Sequence, residues 1–119
     1  MATILIVDDR EQDLIRCERN LTKEGYQVLL ARDGYEALKK VKEQPVDLVV
    51  LDLKLPGMDG IETLGRILEV RYDLPVILHT AYPVWKEDFR TRAADAFVIK
   101  TGDMKNLKDQ IKKLLRRRN

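Results

Sequence analysis

Cysteine and histidine are nearly absent from this chain, each occurring once, as Cys17 and His79. A single cysteine excludes a disulfide framework and a thiolate metal site, and its place on an apolar helical stripe with Leu14 and Leu21 reads as a buried structural thiol. His79 lies inside an apolar strand-like run, where a structural role is expected ahead of metal ligation. Charge of one sign is missing too. Lys and Arg number 22 against 20 Asp and Glu, a net +2, so composition makes no case for nucleic acid or an anionic membrane as partner. No apolar run approaches the length of a membrane helix, and no basic-then-apolar leader opens the chain. A cytoplasmic protein with no membrane partner is the default expectation. Repeats, low-complexity segments and linkers are also lacking, so the 119 residues are expected to form one domain.

What is present is 45% hydrophobic and 35% charged residues, a globular composition. The apolar residues fall into short runs separated by helical patterns. Residues 10–24 carry Leu14, Cys17 and Leu21 at helical spacing, with Gly25 in the C-terminal capping position. A strand is expected over 26–31. Asp33 with Glu36 has the form of a capping box, opening a helix with Ala37, Leu38 and Val41 inward, which Pro45 ends. The central strand, 46–52, follows. Asp59 with Glu62 is a second capping-box pattern, ahead of the stripe Ile61, Leu64 and Leu68. A strand over 74–80 begins at Pro75, where a missing donor is tolerated. Pro83 suits the first turn of a short helix with Trp85 and Phe89 one turn apart. A last strand, 96–99, leads to a helix with Met104, Leu107, Ile111 and Leu114 inward. Five strands alternating with five helices predict a doubly wound α/β sandwich, with helices on both faces of a parallel sheet and a crevice at the strands' C-terminal ends.

The residues at those ends set the chemistry. The first run ends in Asp8-Asp9, the central one in Asp52, the fourth in Thr80-Ala81 and the fifth in Lys100-Thr101. Three carboxylates drawn together repel one another unless a counter-charge intervenes. An oxygen-only ligand set without His or Cys favours Mg²⁺. A divalent cation, an ammonium and a hydroxyl are the parts that stabilise a phosphoryl group, with a carboxylate in position to accept it as an acyl phosphate.

Asp8-Asp9, Asp52, Leu55-Pro56-Gly57-Met58-Asp59-Gly60, Thr80-Ala81 and Lys100, in this order and across the whole chain, resemble the receiver domain of two-component response regulators, and single-domain relay regulators in particular. The resemblance implies a flavodoxin-like (βα)5 fold with strand order 2-1-3-4-5 and no output domain within residues 1–119. It implies that Asp52 is the phosphoacceptor, that Asp9, Asp52 and the Lys54 backbone carbonyl bind Mg²⁺ with Asp8 assisting through water, and that Thr80 and Lys100 engage the phosphoryl oxygens. Phe97 matches the aromatic switch position, and it also reads as a plain core aromatic. The implied donor is a phosphohistidine on a sensor histidine kinase or a histidine phosphotransfer protein. Phosphorylation would reposition Thr80 and Phe97 and alter the surface of the fourth helix, fifth strand and fifth helix. That surface would meet a downstream protein target or effector domain, or form a homodimer. The domain would be a phosphoacceptor that assists its own phosphorylation and dephosphorylation rather than an enzyme acting on other molecules.

Three positions depart from that pattern. Thr101 stands where the family usually has a cis-proline. A cis bond to another residue costs about 2.5 to 4 kcal/mol, so a trans bond is expected, with a shifted Lys100 as the consequence to watch. The interval from Thr80 to Lys100 is short, which predicts a truncated or displaced fourth helix, with Trp85 as a core or lid packing residue. Lys54 and Tyr82, each two residues beyond Asp52 and Thr80, flank the pocket, either as obstacles to water or as ordinary loop residues. The basic end, Lys112-Lys113 and Arg116-Arg117-Arg118, complements a helix dipole rather than reading DNA. Two rivals remain. An aspartate-nucleophile phosphatase needs an acid two residues after Asp52, where Lys54 stands. A receiver-like interaction module that is never phosphorylated would have no use for mutually repelling acids.

Overall fold

The computed structural model describes residues 1–117. Strands β1 (Thr3–Val7), β2 (Gln27–Ala31), β3 (Leu48–Leu51), β4 (Val76–Thr80) and β5 (Ala96–Ile99) alternate with helices α1 (Glu11–Lys23), α2 (Gly34–Glu43), α3 (Gly60–Val70) and α4 (Lys105–Arg117). Every pairing is parallel and the order is β2-β1-β3-β4-β5, the expected flavodoxin-like arrangement. The chain winds outward from β1 to β2, then crosses to β3 on the other side. The switch between β1 and β3 opens a crevice at their C-terminal ends.

The two-residue period of the strands sorts the core. Leu5, Val7, Val49, Leu51, Val76 and Leu78 face α2 and α3, against Val41, Leu64 and Ile67. Ile4, Ile6, Leu48, Val50, Ile77 and Val98 face α1 and α4, against Leu14, Leu21, Leu107 and Ile111. β1, β3 and β4 are buried along their whole length, as continuous apolar runs require in a sheet covered on both sides. Cys17 lies in the second layer, where burial pushes its thiol up to about 12.

Caps position the helices, and they form by half. Asp33 accepts the Glu36 amide and Asp59 the Glu62 amide, each at 2.8 Å, a contribution of about 1 kcal/mol apiece. The return bonds go elsewhere: Glu36 reaches the Arg32 amide at 3.4 Å, and Glu62 pairs with Arg66. Gly25, at φ +96°, turns the chain out of α1 as its capping position requires.

The expectation of five helices is corrected to four. Between β4 and β5 the chain forms two 3-10 turns, Pro83–Glu87 and Phe89–Ala93. Local side chains compete with an α-helical ladder there: Asp88 accepts the Arg90 amide at 3.0 Å, and the Thr91 hydroxyl donates to the Asp88 carbonyl at 2.7 Å. This is the truncation that the short interval predicts. Trp85 packs on the core, whereas Phe89, one turn on, is exposed. The strands expected over 26–31, 46–52 and 74–80 are shorter than drawn, so Asp52 stands just past β3. Arg118 of the basic end lies outside the described residues.

Candidate functional site

Register brings the distinctive residues to one edge. Val7 pairs with Leu51, so Asp8 and Asp52 leave the sheet side by side. Backbone bonds fix those exits: the Asp8 amide donates to the Ala31 carbonyl and the Asp52 amide to the Val7 carbonyl, both at 3.0 Å. Thr80 pairs with Ile99, and the Lys100 amide donates to the Thr80 carbonyl at 2.7 Å. The loop behind Asp52 is held by close contact with α3. A Cβ on Gly60 would stand 2.4 Å from Leu53 Cα and 2.5 Å from the Asp52 carbonyl oxygen, so only glycine fits.

Carboxylate oxygens of Asp8, Asp9 and Asp52 lie within 4.8 Å of one another, the one such acidic group among the described residues. Asp8 and Asp52 are buried and Asp9 is exposed. The Lys100 ammonium sits among them and donates to Asp8 at 2.6 Å, Asp13 at 2.8 Å and Asp52 at 2.9 Å. Burial raises the Asp8 carboxyl above its ordinary range despite the Lys100 bond. Burial also opposes the charge on Lys100, but three carboxylates outweigh it and its value is raised. Asp13 is less buried, and Lys100 brings its carboxyl below the usual range against the desolvation.

This donor set fits a hard divalent cation. Four carboxylates, with Asp13, surround a single ammonium, and every ligand atom of the acid group is oxygen. Zinc would favour nitrogen or sulfur, and His79 is not in the group. Beside the acids is a cavity of about 240 Å³ lined by Asp9, Arg10, Asp52, Lys54, Ala81, Tyr82 and Lys100. Lys54 and Tyr82 do flank it, with the Lys54 ammonium 5.2 Å from the Tyr82 ring centroid. Thr80 is fully buried and its hydroxyl accepts the Tyr82 amide at 3.3 Å. Phe97 is half-buried and packs against the same core layer as Trp85.

The Lys100–Thr101 bond is trans, like every peptide bond among the described residues. Lys100 nevertheless reaches Asp52, so the shift to watch for is absent. Two residues that sequence reasoning missed take part in this: Asp13, bonded to the ammonium, and Arg16, which donates to the Thr101 carbonyl at 3.1 Å and to the Gly102 carbonyl. The signal was their place in the first turns of a helix that begins right after Asp8-Asp9, at the same edge as Lys100. His79 is buried and uncharged; burial lowers its value to about 4.

Comparison with known proteins gives a consistent picture. The family model for the response regulator receiver domain matches residues 4–112. The chain is 39% identical over 114 residues to sporulation initiation phosphotransferase F of Bacillus subtilis, covering 94% of this chain and 92% of that protein. It is 35% identical to the alkaline phosphatase synthesis transcriptional regulatory protein PhoP of the same organism, covering 96% of this chain but only 48% of the relative. The chain thus spans about half the length of some curated relatives. Among solved structures, the response regulator TrrA of Thermotoga maritima in complex with Mg²⁺ and beryllofluoride superposes with a TM-score of 0.93 at 39% identity, covering 96% of this chain and 99% of that one. TrrA in complex with the histidine kinase ThkA gives 0.91 at 40% identity, over 97% and 99% of the two chains.

Proposed function

This chain belongs to the response regulator receiver domain family, and from that premise we propose that it is a phosphorylation-dependent signalling switch with Asp52 as phosphoacceptor. The observation that carries the reading is the Lys100 ammonium, 2.9 Å from the Asp52 carboxylate, within an acid group that opens on a cavity. Residues 1–119 act as one receiver domain. Asp9, Asp52 and the Lys54 backbone carbonyl hold Mg²⁺, and Asp8 assists through water. When bound, the cation neutralises the acids and polarises the phosphoryl oxygens.

The donor is a phosphohistidine on a sensor histidine kinase or a histidine phosphotransfer protein; the TrrA–ThkA complex supports the first. An Asp52 carboxylate oxygen attacks phosphorus as the phosphorus–nitrogen bond breaks, and the electron pair leaves on the donor imidazole, which takes up a proton. Lys100 offsets the charge gathering on the phosphoryl oxygens, and the Thr80 hydroxyl turns from the Tyr82 amide to donate to one of them. The domain thereby assists its own phosphorylation, and its dephosphorylation by water follows the same geometry. Lys54 and Tyr82 restrict the approach of that water.

Movement of Thr80 vacates space beside β4 and β5, and Phe97 follows it inward. The phosphoryl group binds that arrangement better and enriches it. The surface that changes comprises residues 83–93, β5 and α4, the counterpart of the family's fourth helix, fifth strand and fifth helix. Exposed Val84 and Phe89 on it suit a downstream protein target or effector domain, or a second copy of the chain, rather than nucleic acid. No described helix is long and apolar enough to cross a membrane, and the chemistry belongs in the cytoplasm beside the kinase.

Intact mass after incubation with acetyl phosphate and Mg²⁺ tests this reading. One phosphoryl adduct, lost without Mg²⁺ and in Asp52→Asn, is expected. A folded protein with no adduct would overturn it in favour of an interaction module that works unphosphorylated.

A further inference from the structure

Lys100 has one acceptor that does not belong to the acid group. Asp8 and Asp52 share their carboxylates with that group, whereas Asp13 stands outside it and meets the ammonium from α1 at 2.8 Å. An ammonium has three hydrogens, and each carboxylate takes one. Arg16, one turn further along the same face of α1, grips the backbone that follows the lysine through the Thr101 and Gly102 carbonyls. That backbone is also closed on itself, since the Thr101 hydroxyl donates to the Asp103 carbonyl at 2.8 Å and accepts the Asp103 amide at 3.2 Å. Between helix and loop only about 20 Å³ is open, lined by Asp13, Arg16, Cys17, His79, Lys100, Thr101 and Met104. That gap is about one water molecule in size.

We propose that Asp13 and Arg16 are positioning residues that aim Lys100 at the phosphoryl group, Asp13 by holding the ammonium and Arg16 by holding the backbone behind it. This rests on the reading of Asp52 as phosphoacceptor. The need for them follows from charge. A dication that neutralises Asp8 and Asp52 weakens their pull on Lys100, and a lysine side chain is a flexible stem with a point charge that then loses two of its three anchors. Asp13 is not neutralised. It keeps one hydrogen fixed while the other two turn to the phosphoryl oxygens.

The test separates cation binding from phosphoryl binding in the whole chain. Mg²⁺ affinity is measured by calorimetry, and beryllofluoride affinity at saturating Mg²⁺ by fluorine NMR, for the native chain, Asp13→Ala, Asp13→Asn, Asp13→Glu and Arg16→Ala. In Asp13→Ala the beryllofluoride affinity falls about tenfold, equivalent to about 1.4 kcal/mol, while Mg²⁺ affinity is unchanged. Asp13→Asn, which keeps an acceptor but not the charge, falls between, Asp13→Glu recovers most of the loss, and Arg16→Ala weakens beryllofluoride in the same direction. Equal beryllofluoride affinity in the native chain and Asp13→Ala would overturn the proposal. So would a parallel loss of Mg²⁺ affinity, which would mark Asp13 as a general support of the acid group. A native chain that binds Mg²⁺ but no beryllofluoride would remove the phosphoacceptor reading as well, and that outcome is recognisable because it appears without any substitution.

Discussion

The Lys54 ammonium stands 5.2 Å from the centre of the Tyr82 ring, and both residues line the cavity beside Asp52. The two side chains come from different loops, one leaving β3 and the other β4. Both side chains are exposed, and this contact links the two loops beside the cavity.

An exposed cation–π contact contributes about 0.5 to 1 kcal/mol. If that contact restrains water, Lys54→Ala shortens the life of a phosphoryl group on Asp52 by about twofold to fivefold, and Tyr82→Ala does the same. The decay of the phosphoryl adduct, followed by intact mass after acetyl phosphate is removed, measures it. An unchanged rate in Lys54→Ala sinks the idea for that residue.

Gly60 ties α3 to the strand exit that carries Asp52. A methyl group there meets backbone on three sides, the Leu53 Cα, the Asp52 carbonyl oxygen and the Leu53 carbonyl oxygen, all within 2.8 Å. Backbone cannot swing aside as a side chain can. Gly60→Ala therefore costs about 1 to 3 kcal/mol in urea unfolding and lowers phosphorylation of Asp52 together with stability. Gly65→Ala in the middle of the same helix, where a Cβ meets nothing within 4 Å, stabilises instead by up to about 1 kcal/mol. Equal effects at the two positions would refute the argument.

The site edge was legible because each apolar run ends in a chemically distinct residue: acids after β1 and β3, a hydroxyl at the end of β4, an ammonium after β5. Parallel pairing carries such ends to one place whatever the loops do, so Asp8, Asp52, Thr80 and Lys100 follow from the pattern of runs. Asp13 and Arg16 did not follow. In sequence they are ordinary charges on the rim of a helical stripe, and apart from their nearness to Asp8-Asp9 nothing in the apolar pattern marks them; contact between α1 and the loop after β5 brings them to Lys100 and the carbonyls beyond it. The segment from Pro83 to Ala93 was legible as short but not as two 3-10 turns, because the bonds made by Asp88 and Thr91 compete with the helix over distances that apolar periodicity does not register.

The acid group makes stability depend on cation concentration. A ligand bound only by the folded chain adds about 2.7 kcal/mol at a hundred times its dissociation constant, so saturating Mg²⁺ raises the melting temperature by several degrees. Asp9 is exposed, and Asp9→Asn leaves the fold intact while removing one ligand. Without Mg²⁺ the variant melts at or above the native temperature, since one of three repelling carboxylates is gone, and it loses most of the rise with Mg²⁺, as a thermal shift series in MgCl₂ against NaCl at equal ionic strength shows. A full rise in Asp9→Asn would take that residue out of the metal set.

His79 gives the stability a pH dependence of its own. It is buried between α1 and the end of β5, facing Asp13, Arg16 and Cys17 from the helix and Lys100 from the strand end. Burial first, then the Lys100 charge, lowers its value to about 4 from an ordinary 6.5, with Asp13 opposing. The folded chain therefore keeps the ring neutral where the unfolded chain protonates it. Above pH 6.5 both states are neutral and the group contributes nothing. Between about 6.5 and 4 the unfolded state binds more protons, and stability falls as pH falls, by about 3 kcal/mol over the window. His79→Gln lacks this term. Carboxylates titrate near the lower end as well, so the measurement is the difference between the native chain and His79→Gln in urea unfolding at a series of pH values. The difference moves in favour of the variant as pH drops from 7 to 4; parallel curves would show that the ring titrates in the fold as it does in the unfolded chain, and a drift the other way that the fold favours its charged form.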